Sequence, residues 1–365
     1  MSLTKPIALL GLMGVAAFVS ISTMAAHHFA FGSSEPDIPY SIGDIFVFAS
    51  EKPGYTTFIL TANPSLPPGK GGGEKANLTP KTAFPRGGLF NIHIATDKEF
   101  EQGMTLTVSF DGLDVSIVQI NNPNATIGEI GRLIGEAKVE KSTVLNNGMK
   151  FWAGRSLEPL YINAYDFGVF QSGINAGKLD DNAYRTTGKD IFENARISSI
   201  VFDVPNELIK KEKMYVFATT ARQDPKHGNE WIQVNRMAYP LTSYITFFNT
   251  PTLQYQHDQT RPDTDKDRKM AISTNIFRAV TAAGVQTDPS AYSNKTADKM
   301  TPDVLTYTIG DRSGFSFGGT GGRALTDDVA DIVFSAYVGK PFSDFIVDPV
   351  RYQQPFPYVI PVNQP

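Results

Sequence analysis

The chain has 365 residues, no cysteine, 33 Lys and Arg against 37 Asp and Glu, and a formal net charge of −4. That length fits one large domain or two modest ones, and without cysteine there are no disulfides, no thiol nucleophile and no lipid-modified cysteine anchor. The charge balance lacks a basic stripe interleaved with aromatics, which argues against nucleic acid as a partner. Glycine at 31, proline at 24, phenylalanine at 25 and tyrosine at 14 describe a turn-rich β body.

Residues 1–26 read as an export signal. Lys5 supplies a short positive start, 7–21 is almost unbroken apolar sequence, and Ser22, Thr23, Ala25 and Ala26 provide small and polar residues after it. The competing reading is a retained membrane anchor. The expected organisation is a signal over 1–25 and one β-rich domain over 26–365, periplasmic or secreted, with no transmembrane segment in the mature chain. Cleavage after Ala25 leaves Ala26-His27-His28 at the new terminus, and a free amine with histidine at position three is a square-planar ligand set for Cu(II) or Ni(II). Cleavage after Ala26 makes His27 the first residue instead. The plainer alternative is two polar residues beside a processing site.

Alternation of apolar and polar residues predicts strands over 42–49, 56–62, 89–95, 104–110 and 115–120, with a long polar loop over 63–88. The segment 125–141 changes period: Ile127, Ile130, Leu133 and Ile134 fall on one face of a helix or a pair of helical turns, weakened by three glycines. Phe151 and Trp152 then lie near Tyr161, Tyr165 and Phe167 in a β-like stretch. That aromatic group reads either as core or as a sugar-stacking platform. Strands follow over 198–204, 214–219, 231–235 and 242–248, with a turn or brief helix over 203–212. His93 and Asp97 sit at an even separation and share a strand face if the strand runs that far; a packed, hydrogen-bonded histidine is the plainer alternative. Asp263, Asp265 and Asp267 have the spacing that opens a calcium loop, but Arg268 stands where glycine is needed and Thr274 where glutamate is needed. A solvated linker is therefore expected there, leading into a helix over 269–283.

The stretch 301–340 shows a strand around Val304, Tyr307 and Ile309, then six glycines within 310–322, then a helix. Thr326 is the expected N-cap, with Asp327 and Asp328 in the first turn and Leu325 packing onto the helix from N′. Gly339 is the expected C′ residue. The loop matches neither phosphate-binding glycine pattern, and two aspartates would repel an anion at that helix end. Arg323 with Asp327, Asp328 and Asp331 is expected to hold the loop against the helix, or alternatively to meet a ligand or a divalent cation. The proline-punctuated ending is expected to cover an exposed sheet edge.

GDIFVFAS, FNIHIATD, KFWAGRSLEPLYI, ISSIVFDVP, IQVNRMAYPL, GGRALTDDVADI and FPYVIP, in that order, resemble the bacterial exported family catalogued as domain of unknown function 4331. By that resemblance Arg236, Pro240, Arg323, Asp327, Asp328 and Asp331 fall on recurrent family positions, Glu158 keeps one acid of a family pair whose other member is Leu157 here, and His28 stands in the family's histidine opening. The family implies an exported β-rich protein without an established reaction. The expected fold is mainly β: an antiparallel β-sandwich core with long loops and a few short helices, a propeller being the alternative. The expected function is a non-catalytic envelope or secreted binding or structural protein recognising carbohydrate or another surface component, with Trp152, Arg155, Glu158 and Arg323 as ligand candidates. The alternative is a metal-dependent extracellular enzyme, with copper at His27 and His28 or a divalent cation at Asp327, Asp328 and Asp331. HExxH and a cysteine nucleophile are absent from the sequence.

Overall fold

Strand residues with apolar side chains on both faces need cover on both sides, and this requirement sets the layers of the molecule. The computed structural model describes residues 37–65, 81–163, 167–180, 189–241 and 251–362. The predicted export signal, His27, His28 and the strand predicted over 242–248 lie outside the described residues. The first sheet contains β1 (Ile42–Ala49), β2 (Tyr55–Ser65), β7 (Thr143–Val144), β8 (Lys150–Leu157) and β9 (Arg196–Pro205), in the order β1-β2-β9-β8-β7. The second contains β3 (Leu89–Ala95), β4 (Gly103–Asp111), β5 (Asp114–Ile120), β6 (Arg132–Lys138), β10 (Lys213–Asp224), β11 (Glu230–Met237) and β12 (Leu305–Thr308). Its order is β11-β10-β3-β4-β5-β6, with β12 on the first half of β10. All pairings are antiparallel. The fold is β-dominated, two sheets with a few short helices, and neither a closed barrel nor a propeller.

Register explains where the core lies. Val47, Phe58, Phe202 and Phe151 stand opposite one another across four strands of the first sheet and belong to the main core. They meet Phe90, Ile92, Ile94, Leu106 and Val108 of the second sheet in the same cluster. One residue along each strand, Phe46, Ile59, Val201 and Trp152 form a parallel row on the other face. That row makes a separate apolar cluster, closed by Leu325, Tyr358 and Val359 from the end of the chain. The ending does cover an edge: Leu157 N–H donates to Ile360 O at 2.9 Å and Val362 N–H to Arg155 O at 3.0 Å, along β8.

The helices are α1 (Phe167–Asn175), α2 (Asn206–Ile209), α3 (Pro251–Asp258), α4 (Lys269–Ala283), α5 (Pro289–Lys299) and α6 (Val329–Val338). Helix α4 has the predicted bounds and packs on α1, α5 and α6 through Ile272, Ile276, Ala279 and Val280. Helix α6 ends as expected, with Gly339 at φ 75°. Its start differs: Asp328 is the N-cap, accepting Asp331 N–H at 3.1 Å, and Thr326 lies outside the helix. Leu325 packs with Phe46 and Trp152 on the first sheet and is no staple for α6.

Two further expectations are corrected. The helix predicted over 125–141 is an irregular loop followed by strand β6. Ile130 is 95% exposed and Leu133 55% exposed while Ile134 is buried, so the supposed apolar face does not exist. Glycines 128, 131 and 135 each cost a helix about 1 kcal/mol relative to alanine, and the free side of β5 offers a ladder instead. The expected solvated linker over 257–270 is a tight 3-10 segment, Pro262–Arg268, with Pro262, Asp265 and Arg268 buried. Asp265 and Arg268 face inward because they meet opposite charges there, as described next, while Asp263, Lys266 and Asp267 stay exposed.

Candidate functional site

The glycine-rich loop 310–322 joins β12 to the entry of α6. Its return limb bridges two strands: Tyr307 pairs with Gly321 and Val47 with Arg323. Gly322 sits at φ 68°, and a Cβ there would lie 2.2 Å from the Val47 carbonyl oxygen, so the close crossing requires glycine. Asp327 Oδ2 accepts N–H from Ala324 at 2.7 Å and Phe315 at 3.0 Å, closing the loop on itself. Asp311 holds the outgoing limb through Ser313 N–H at 2.9 Å and Thr320 Oγ1 at 2.7 Å.

This loop forms one wall of an open cleft of about 640 Å3. Asp311, Arg312 and Gly314 lie on the loop side, Phe48, Ala49 and Glu51 on the end of β1, and Tyr352, Gln353, Gln354 and Tyr358 on the C-terminal strap. Tyr358 is fixed: its hydroxyl contacts Ser50 Oγ at 2.9 Å and donates to Asp203 Oδ2 at 3.3 Å, and its ring meets Phe48 edge-on at 5.5 Å. Tyr352 donates its hydroxyl to Asp348 at 2.9 Å. Half-buried aromatic faces, exposed Gln354 and Arg312, and two carboxylates thus converge on one depression.

The residues singled out in the sequence lie elsewhere. Trp152, Arg155, Glu158 and Arg323 are all buried, none more than 3% exposed. Trp152 is part of the outer apolar row. Arg155 donates to Asn63 O at 2.8 Å, Ser198 Oγ at 3.0 Å and Arg196 O at 3.1 Å, and burial pulls its pKa down to about 10. Glu158 accepts Leu160 N–H at 3.0 Å. Arg323 pairs with buried Asp44 on β1, and its guanidinium lies 4.3 Å from the centre of the Phe46 ring. The expectation that Arg323 holds the loop to α6 through ion pairs with the three aspartates is corrected: its salt-bridge partner is Asp44, and Asp327 and Asp328 accept backbone donors.

Asp331 accepts Asp344 N–H at 2.8 Å, and Asp344 accepts Asn163 N–H at 2.8 Å and Ile346 N–H at 2.9 Å. With Asp328 and Asp348 they form an acidic relay that fastens the strap to α6 and the 160–163 segment. Burial, then repulsion from Asp331, Asp344 and Asp348, raises Asp328 to about 7 against its own backbone hydrogen bond. Burial likewise raises Asp344 to about 6. Among the described residues no three His, Asp or Glu side chains converge where a metal ion would be held.

His93 is buried in the second sheet, stacked 4.3 Å from Phe217, with Nδ1 3.0 Å from Thr105 Oγ1 and Nε2 2.8 Å from Thr219 Oγ1. Burial and neighbouring Arg261 push its pKa well below the usual value. Asp97 lies beyond the end of β3 and caps Glu101 and Gln102 N–H, so the two do not share a ligand. The sequence reading missed a buried charge cluster around Arg236. Asp265 takes both guanidinium nitrogens of Arg236, at 2.6 and 3.2 Å, and Arg268 at 2.6 Å, while His257 Nε2 lies 2.9 Å from Asp303. Arg236 was marked only by its motif; nothing in the spacing of Asp265 distinguishes it from a solvated acid. The cleft residues were missed for another reason: β1, the loop and the strap lie about 300 positions apart in part, and only folding joins them. Compared with protein-family models, curated proteins and solved structures, the chain has no match in any of the three.

Proposed function

We propose that the chain is an exported, non-catalytic binding protein that takes a carbohydrate, or another polyol-bearing surface component, in the cleft beside the glycine loop. The single observation that carries this reading is the lining of that cleft: Phe48 and Tyr352 offer apolar ring faces beside the planar amides of Gln353 and Gln354 and the charges of Glu51, Asp311 and Arg312. Sugars present C–H faces and rings of hydroxyls together, so aromatic walls with side chains that donate and accept suit them. The volume, about 640 Å3, lies within the range of small-molecule sites. The wall is braced by buried hydrogen bonds at Tyr358 and half-buried ones at Asp327, which limits the ordering cost of binding.

An immobilised panel of glycans and envelope polysaccharides, probed with the full chain and with Arg312→Ala and Gln354→Ala, tests the reading. These two side chains are exposed, so folding should be retained. The expected result is binding to a subset of glycans, weakened about tenfold by either change at unchanged melting temperature. No glycan bound, or binding indifferent to both changes, overturns it.

A further inference from the structure

A second cleft, of about 760 Å3, opens at the end of the sandwich where the two sheets part. It is lined by the end of β3 (Ile94), the start of β4 (Met104), the end of β5 (Gln119), the start of β6 (Arg132), the β7–β8 turn (Asn147), and the end of α2 with the turn after it (Leu208–Lys211). Register fixes which side chains point between the layers. Ile94 stands opposite Met104, and Leu106 opposite Gln119, so all four share the inner face. Ile94, Met104 and Ile209 are buried members of the main core. The inner part of the cleft is therefore continuous with the hydrophobic interior.

Its rim is different. Arg132, Lys210 and Lys211 are exposed and face one lining carboxylate, Glu101. Lys210 is held at φ 66°, closing α2. The amides of Gln102, Gln119, Asn121 and Asn147 complete the polar lining. The Asn147 Nδ2 is itself buried and has no acceptor, although its Oδ1 accepts Met149 N–H at 3.3 Å.

We infer that this interlayer cleft binds an amphipathic organic anion, its carboxylate at Arg132, Lys210 and Lys211 and its apolar body against Ile94, Met104, Leu208 and Ile209. The combination excludes the simpler ligands. A small inorganic anion would leave the apolar wall wet, and a neutral apolar molecule would leave three cations without use. The site shares no lining residue with the glycine-loop cleft and stands independently of the glycan reading.

Calorimetric titration of the full chain with octanoate, octanamide and acetate tests the inference. The expected result is one octanoate per chain, bound at least tenfold more tightly than either octanamide or acetate. The charge-neutral variant Arg132→Gln/Lys210→Asn/Lys211→Gln should weaken octanoate at least tenfold; asparagine tolerates the left-handed backbone at 210, so the fold is kept. Methyl resonances of Ile94, Met104 and Ile209 should shift with octanoate, and they locate the ligand without any substitution. Octanoate binding no tighter than octanamide or acetate, undiminished binding to the variant, shifts confined to other methyls, or no binding at all would each overturn the inference.

Discussion

Arg323 stands where β1, the glycine loop and the outer apolar row meet, and its buried ion-pair partner is Asp44. Removing one member of a buried pair leaves the other charge in low dielectric, at a cost of about 3–5 kcal/mol. Arg323→Ala should therefore lower stability by that order in urea denaturation. Arg323→Met combined with Asp44→Asn should cost clearly less than the two single changes summed; strict additivity would deny the coupling. Asp328 provides a second residue-level test. Its carboxyl is raised to about 7 in the fold, above the unfolded value of about 3.9. A raised carboxylate contributes stability that is full below the unfolded value and lost as pH climbs to the folded one. The wild-type chain should lose stability between about pH 4 and 7. Asp328→Asn keeps the N-cap hydrogen bond and removes the charge, so it should stabilise by ~1–3 kcal/mol at pH 8, discounted for partial exposure, and change little at pH 4. Equal stability of the two proteins at pH 8 would contradict this account of the relay.

At the scale of elements, the 3-10 segment is tied to β11 by the Asp265–Arg236 pair, and α3 to the segment before β12 by the His257–Asp303 pair. Burial and nearby Arg236 pull His257 down, but hydrogen bonds to Asp258 and Asp303 outweigh them and its pKa is raised. A raised histidine contributes stability that is full below its unfolded value of about 6.5 and lost as pH rises through the folded value. Urea midpoints should thus fall as pH climbs above about 6.5, and His257→Gln should flatten that part of the profile; an unchanged slope would refute the assignment. Much of the β framework was legible because strands such as β1 and β3 carry their own pattern of Val, Ile and Phe. Helix α4 was legible because its apolar residues recur at helical spacing. What failed had a common cause. The apolar residues of 127–134 fit a helix locally, yet pairing with β5 decided the structure. Asp265 and Arg268 look solvated until β11 brings Arg236 to them. Trp152 looks like a sugar platform until the strap lands on it. Each outcome depends on a partner far away in sequence, which local pattern does not contain.

For the whole molecule, the C-terminal strap does three things at once: it covers the outer row of the first sheet, pairs with the edge of β8 and forms a wall of the proposed glycan cleft. No helix among the described residues is long and apolar enough to cross a membrane. Deleting residues 357–362 should expose the Phe46, Ile59, Val201 and Trp152 row together with an unpaired strand edge, producing self-association visible by light scattering. A deletion variant that stays monomeric with an unchanged melting temperature would show that the strap is dispensable to the sandwich. The most direct test of the binding account is amide chemical-shift mapping of the intact chain with its tightest glycan from the panel. The account predicts that shifts concentrate at 48–51, 311–314, 321–326 and 352–354; shifts centred elsewhere, or none at saturating glycan, would contradict it.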